Sequence, residues 1–213
     1  MTSVLHILHE TAEWFVIDKP AAMHSVAGKS EGSVADVISQ LRPDQKNLPD
    51  AGLVHRLDYE TTRCLVIAKS LDSHSRLCER FRTGQQIQKT YLCIARSGLA
   101  DQHVQFFFRS RYRSSKKISV FLEGSLEEKG ELSLRTLKAA SHHSVYEVSL
   151  IGPGKRHQIR ASFARLNAPL CGDRLYGSTD KFQGVALHSW RVEIDSVRIE
   201  CPPPEFWNAF FTN

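Results

Sequence analysis

The hydrophobic pattern of this chain changes period several times, and each change marks an element. Trp14–Asp18 is a short apolar run stopped by Lys19-Pro20, which predicts a strand. Behind Ser33, a residue suited to cap a first turn, Val34, Val37, Ile38 and Leu41 recur at helical spacing until Pro43. Residues 44–51 read as a polar loop. Two apolar runs, 53–54 and 65–68, then enclose ten residues rich in charge and hydroxyls, predicting strand, charged loop, strand. Ser70 opens a second helix with Leu77 and Phe81 four apart and Gly84 just past its end. Residues 87–95 predict a strand with Lys89, Tyr91 and Cys93 on one face and Thr90, Leu92 and Ile94 on the other.

Further along, residues 104–122 read as a long hairpin, and 132–137 and 145–150 as strands. Gly152-Pro153-Gly154 is a sharp turn into a helix beginning near Lys155, with Ile159, Phe163 and Leu166 as its apolar stripe. Residues 185–194 form a late strand, and Phe206 and Phe210 indicate a short closing helix. Many strands with a few interspersed helices, and no regular alternation of the two, predict an α+β protein built on a sheet. With no linker or internal repeat, residues 1–213 read as a single domain.

Composition narrows the functional classes. The chain is 41% hydrophobic and 24% charged, as in ordinary globular proteins. No apolar run approaches the length of a membrane span, and the N-terminus lacks the pattern of a signal peptide. Five widely spaced cysteines without a Cys-x-x-Cys pair argue against a disulfide framework and a compact zinc site, and fit a reducing cytoplasm. Ten histidines contain no His-x-x-x-His pair, so no metal site is expected. Without Gly-x-Gly-x-x-Gly or a Gly-Lys-Ser/Thr loop, a nucleotide cofactor has no support either. The net charge of +5 is compatible with an anionic partner. Within residues 109–117, Arg109, Arg111, Arg113, Lys116 and Lys117 cluster without an acid, beside Tyr112. That strip is either a solvated hairpin tip or a phosphate-contacting surface.

The stretch LVHRLDYETTRCLVIAK, residues 53–69, places His55, Arg56, Asp58, Glu60 and Arg63 between two apolar runs without Gly, Asn or Pro. From local sequence alone, Asp58 suits an Asx-turn; held ionised by an arginine it would instead serve as a nucleophile toward an electron-poor carbon such as a sugar C1′. Arg156 and Arg160, four apart on the helix expected from Lys155, would share a face. Either could hold a carboxylate in a bidentate pair.

HRLD at 55–58 followed by Thr61, KTY at 89–91, GKRHQIR at 154–160, GDRLYG at 172–177 and LHSW at 187–190 occur in this order, after IDKPAAM at 17–23. Together they resemble the RluA-type family of RNA pseudouridine synthases from about Trp14 to Trp190. The resemblance implies one α+β domain around a mixed, largely antiparallel central sheet with flanking helices and loops. It implies conversion of uridine to pseudouridine in rRNA or tRNA with neither cofactor nor metal, after the base is flipped from its stem-loop. The family's catalytic aspartate falls on Asp58, its active-site tyrosine on Tyr91, and the arginine pairing with the aspartate on Arg160. Arg56 would fill the gap left by the flipped base, with His55, Arg63, Arg156 and the 109–117 strip as further RNA contacts. A monomer is implied, and there is no room before Trp14 for the extra N-terminal RNA-binding module of many relatives. The sequence departs from the family at Ala22 and Arg63, where glycine is common, and at Arg156, which replaces Thr or Ser. An RNA-binding or RNA-folding protein with catalysis lost or secondary is the alternative. A nucleoside glycosidase would need a second carboxylate, for which Glu60 is the nearest candidate.

Overall fold

The computed structural model describes residues 5–26, 32–112 and 115–211. In chain order these form β1 (His6–Glu10), β2 (Trp14–Asp18), α1 (Val34–Leu41), β3 (Thr62–Arg63), β4 (Leu65–Ala68), α2 (Leu71–Thr83), β5 (Ile87–Arg96) and β6 (Gln102–Arg109). There follow β7 (Ser119–Phe121), β8 (Lys129–Lys138), β9 (His143–Ile151), α3 (Gln158–Arg165), β10 (Leu187–Ile194), β11 (Val197–Glu200) and α4 (Asn208–Phe211). The class is the expected α+β, with mostly antiparallel strands. Two compact units emerge, one of residues 1–87 and 189–201, the other of 88–188 and 202–213.

In the first unit β2 lies between β1 and β4, antiparallel to both, with Val16 opposite Val66. All of β4 and the first four residues of β2 are buried. Strands covered on both faces have no polar side to show, which is why both read as unbroken apolar runs. Trp14, Val16, Val66 and Ala68 pack with Leu77 and Phe81 of α2 and with Val192, Ile194 and Ile199 of the β10–β11 hairpin. Both helices start on reciprocal caps. Ser33 accepts from the amide of Asp36, whose carboxylate takes the amide of Ser33, and Ser70 and Ser73 do the same. Gly84, in the left-handed region at φ 76°, closes α2 as its sequence position requires.

Two expectations change here. Residues 44–51 are not open loop but two tight 3-10 turns, Pro43–Asn47 and Pro49–Gly52, with Gln45 Nε2 donating to the carbonyl of Ala68 at 2.9 Å. The apolar pair at 53–54 forms no strand; Leu53 makes a single bridge to Ile67. β1 escaped the sequence reading because nearly all of it is exposed, so burial imprints no apolar period on it.

In the second unit β5, β9, β8, β6 and β7 follow one another, each neighbour antiparallel. The expected hairpin is β6–β7, with Phe108 opposite Val120. β8 and β9 are longer than their apolar cores suggested. Helix α3 is buried from Gln158 to Phe163, so its polar residues lie inside with its apolar ones. It begins at Gln158 rather than near Lys155, because His157 adopts left-handed backbone (φ 54°, ψ 21°). Arg156 therefore lies before the helix and shares no helical face with Arg160, contrary to the spacing argument. None of the five cysteines is in a disulfide bond. Among the described residues no helix is long and apolar enough to cross a membrane.

One glycine is fixed by close approach. Gly172 has φ +75°, and a Cβ there would stand 1.8 Å from the carbonyl oxygen of Gly184. Gly98 has φ +105° but open space around it. Gly172→Ala is expected to cost more than about 3 kcal/mol in urea unfolding, because backbone must move. Gly98→Ala should cost only about 1 kcal/mol, the conformational penalty alone. Equal losses at the two positions would contradict the packing described.

Candidate active site

The charged loop of the first unit is built around a buried amine. Lys19, the residue after β2, has no exposed surface. Its Nζ donates to three carbonyls, those of Thr61 at 2.8 Å, Pro20 at 3.0 Å and Tyr59 at 3.3 Å. An ammonium has three donors and no acceptor, so these bonds use its full capacity. Two of the three carbonyls belong to the residues just after Asp58. The amide of Thr61 in turn donates to the backbone carbonyl of Asp58 at 3.1 Å, closing a 58–61 turn. The Thr61 amide, one of the two that an Asx-turn would use, is thus engaged by a backbone carbonyl. Burial pulls the Lys19 pKa down to about 8, while the charge of Asp58 acts in the opposite direction. Sequence reasoning did not single out Lys19; its signal was a lysine placed between Asp18, at the end of an apolar run, and a proline.

The glycine-like conformations survive where glycine does not. Ala22 has φ 57° and Arg63 φ 79°. At Arg63 the amide donates to the carbonyl of Lys19 at 2.8 Å, and the guanidinium pairs with Asp18. These contacts hold an arginine in backbone that costs about 1–2 kcal/mol for an L-residue. They also give Arg63 an acidic partner within its own unit. His55 is turned inward. Its Nε2 accepts from the amide of Val66 at 3.1 Å, and its ring stacks on Phe81 at 4.4 Å between centroids. Accepting from a backbone amide, the His55 ring braces β4. Arg56 is exposed and Asp58 half-buried.

The second unit carries Tyr91 and Arg160. Tyr91 is buried in β5 opposite Val148. Lys89, on the same face, is buried too and donates to the carbonyl of Gly152 at 3.2 Å; desolvation lowers its pKa to about 8. The guanidinium of Arg160 makes a two-pronged pair with Asp173, Nε to Oδ2 at 2.7 Å and Nη2 to Oδ1 at 2.8 Å, and Asp173 is wholly buried. Such a fork fixes the plane of the guanidinium as well as its place. Tyr176 of the same GDRLYG segment lies under Arg160 at 5.4 Å and under the Lys117 ammonium at 5.2 Å. Its hydroxyl accepts from the amide of Ile118 at 2.9 Å and meets His157 Nδ1 at 3.0 Å. Tyr176 therefore joins α3 to the segment carrying the basic strip, a role sequence reasoning did not give it.

Within the strip, Arg109 is engaged by Glu128 (Nε to Oε1, 2.6 Å) and lies over Phe121. Arg111, Tyr112, Lys116 and Lys117 are exposed, and Arg113 lies outside the described residues. Arg156, also exposed, donates to the carbonyl of Ser115 at 2.5 Å and so holds the strip's backbone. Among the described residues one group has donor atoms placed for a metal, His143, Cys171 and Asp180, all within 4.8 Å of one another. It unites residues too far apart for any sequence motif. Asp180 is its hub, meeting His143 Nε2 at 3.0 Å and accepting from Ser178 Oγ at 2.9 Å. The Cys171 thiol is pushed up to about 12 by burial and the neighbouring carboxylate, so it stays protonated.

Lys19 makes a testable contribution to stability. Above pH 8 the folded protein gives up the Lys19 proton, while the unfolded chain keeps it to about pH 10.4. Between these values the unfolded state binds more protons, so stability rises with pH. The unfolding free energy of wild type minus that of Lys19→Met should therefore increase by about 3 kcal/mol from pH 8 to 10.5 in urea titrations. A flat difference would show that Lys19 is solvated.

Comparison with known proteins matches the chain to a family. The family described as RNA pseudouridylate synthase matches residues 13–165. The ribosomal large subunit pseudouridine synthase D of Xylella fastidiosa is 32% identical over 224 residues, covering 94% of this chain and 66% of that protein. That of Pseudomonas aeruginosa is 30% identical over 189 residues, covering 85% and 56%. This chain thus spans between about half and two thirds of the curated relatives it matches. The fold is shared with human RNA Pseudouridylate Synthase Domain Containing 4 (TM-score 0.78, 20% identity, 96% of this chain and 91% of that one). It is shared also with human RNA Pseudouridylate Synthase Domain Containing 1 (TM-score 0.74, 19% identity, 99% and 87%). A family match running from β2 through α3, over the Asp58 turn and the Arg160 helix alike, settles the classification: this chain belongs to the RNA pseudouridylate synthase family.

Proposed function

We propose that this protein isomerises uridine to pseudouridine in RNA, with Asp58 as the carboxylate that attacks or stabilises the sugar carbon. The observation that carries the reading is the Asp58 turn, held through its following carbonyls by the buried ammonium of Lys19. A reacting carboxylate must be fixed within a few tenths of an ångström, and a turn tied from inside the core offers that. In the reaction the N1–C1′ bond breaks, the uracil turns, C5 bonds to C1′, and the C5 proton leaves to solvent while N1 gains one. Atoms and electrons balance without a redox cofactor or metal. Tyr91 is proposed to pack on the uracil. Arg160, its guanidinium plane set by Asp173, is proposed to keep the carboxylate ionised.

The two units are proposed to work as one catalytic domain. The target base must leave its stack, at a cost of a few kcal/mol that is least in a loop. Arg56 and the exposed cations Arg111, Lys116, Lys117 and Arg156 are proposed to offset that cost at phosphates, with Arg113 beside them by sequence; Arg63 and Arg109 contribute less, since each has an acidic partner of its own. His55 is assigned to the scaffold. The relatives' names point to large-subunit rRNA as the substrate class, with a tRNA stem-loop as the other choice. The cytoplasm and a monomer are proposed as the setting.

Wild type should release tritium from RNA labelled at uridine C5. Asp58→Asn should lower that release about a thousandfold or more while RNA affinity stays within about threefold. Tight RNA binding by wild type with no release from any cellular RNA would favour the alternative, an RNA-binding protein on this fold.

A further inference from the structure

Beside Asp58 the first unit carries an exposed aromatic pair that the reaction as described does not use. The segment after β2 is clamped to the HRLD segment at two points. The amide of Met23 donates to the carbonyl of Tyr59 at 3.3 Å. Ser25 Oγ donates to the carbonyl of Leu57 at 2.9 Å and accepts from its amide at 3.0 Å. With 23 tied to 59 and 25 to 57, His24 stands opposite Asp58. The first amides of α1 complete the clamp, since Val34 donates to the carbonyl of His24 at 2.9 Å and Ala35 to that of Ser25 at 3.1 Å. On the other side, the carbonyl of Tyr59 also receives Lys19 Nζ.

Both backbones are thus held rigidly, yet both side chains are outside. The rings of His24 and Tyr59 meet at 4.7 Å between centroids, tilted by 46°, and Tyr59 remains 44% exposed. An aromatic ring resting against a neighbour on a fixed backbone has less freedom left for binding to remove. Nucleobases stack on such rings, each stack being worth about 1–3 kcal/mol by alanine substitution, whatever the base. Splayed RNA loops present unstacked bases that need new partners. The exposed Arg56, two residues before Asp58, offers a guanidinium to the same strand.

We propose that Tyr59, buttressed by His24, is a stacking subsite for the nucleobase next to the target uridine. The subsite rests on the reading of Asp58 as the reacting carboxylate, and it selects targets whose neighbour is unpaired. Held at this step, the flanking base cannot restack on the uridine, so the flipped state is favoured.

The probe is a short single-stranded RNA with 2-aminopurine beside a uridine, whose fluorescence falls when the base stacks. Wild type should quench it on binding. Tyr59→Ala should lose the quenching and bind about tenfold more weakly. Tyr59→Phe and Tyr59→Trp should stay within about twofold of wild type, since the ring and not the hydroxyl does the stacking, and His24→Ala should fall between. Absence of quenching by wild type, unchanged quenching in Tyr59→Ala, or an equal loss in Tyr59→Phe would overturn the proposal. Tritium release from C5-labelled uridine RNA separates the two readings. Quenching that depends on Tyr59, without release by wild type, would leave the subsite standing and remove the isomerase; release by wild type with quenching indifferent to Tyr59 would do the reverse.

Discussion

A single ammonium placed where water cannot reach it organises the first unit. Moving such a group out of water costs several kcal/mol unless its donors are met. At Lys19 they are met by three carbonyls, two of them on the turn that follows Asp58. The dependence is mutual. The turn cannot open without stranding a buried charge, and the lysine cannot stay buried without the turn. Asp58 adds the compensating negative charge. The strained backbone at Arg63 persists because that residue's amide answers the carbonyl of the same Lys19.

The second unit repeats the principle with a different cation. Arg160 is buried in α3 and is answered by the wholly buried Asp173 through a fork of two hydrogen bonds. Gly172 lets the chain pass close under Gly184 just before Asp173, so the close approach and the ion pair lie on adjacent residues. Tyr176 then ties the same segment to the basic strip and to the start of α3. In both units a short motif, Lys-Pro in one and GDRLYG in the other, places a buried charged group and its partners.

What could be read from the sequence depended on how local its physical cause is. The caps at Ser33, Ser70 and Gly84 act over four residues, and the helices they bound lie where the periodicity put them. The interior strands were visible as apolar runs, whereas β1, exposed along most of its length, left no such mark. The start of α3 lies later than the spacing predicts because His157, whose ring meets Tyr176 nineteen positions away, adopts left-handed backbone that the local pattern does not announce. Asp58, Tyr91 and Arg160 are proposed from motif order. The supports of these residues do not show in it, because Lys19 with Thr61 and Arg160 with Asp173 meet only after folding. Ala22 and Arg63 make the same point: each stands where its motif favours glycine and each has positive φ, held at Arg63 by contacts to Lys19 and Asp18.

If the Lys19 ammonium holds the Asp58 turn, its removal should loosen that turn and little else. Amide hydrogen exchange in Lys19→Met tests this directly. Thr61 and Arg63, whose amides donate to the carbonyls of Asp58 and of residue 19, should exchange at least about tenfold faster than in wild type, while Leu92 and Ile94 of β5 keep their rates. Unchanged protection at Thr61 and Arg63 would contradict the account.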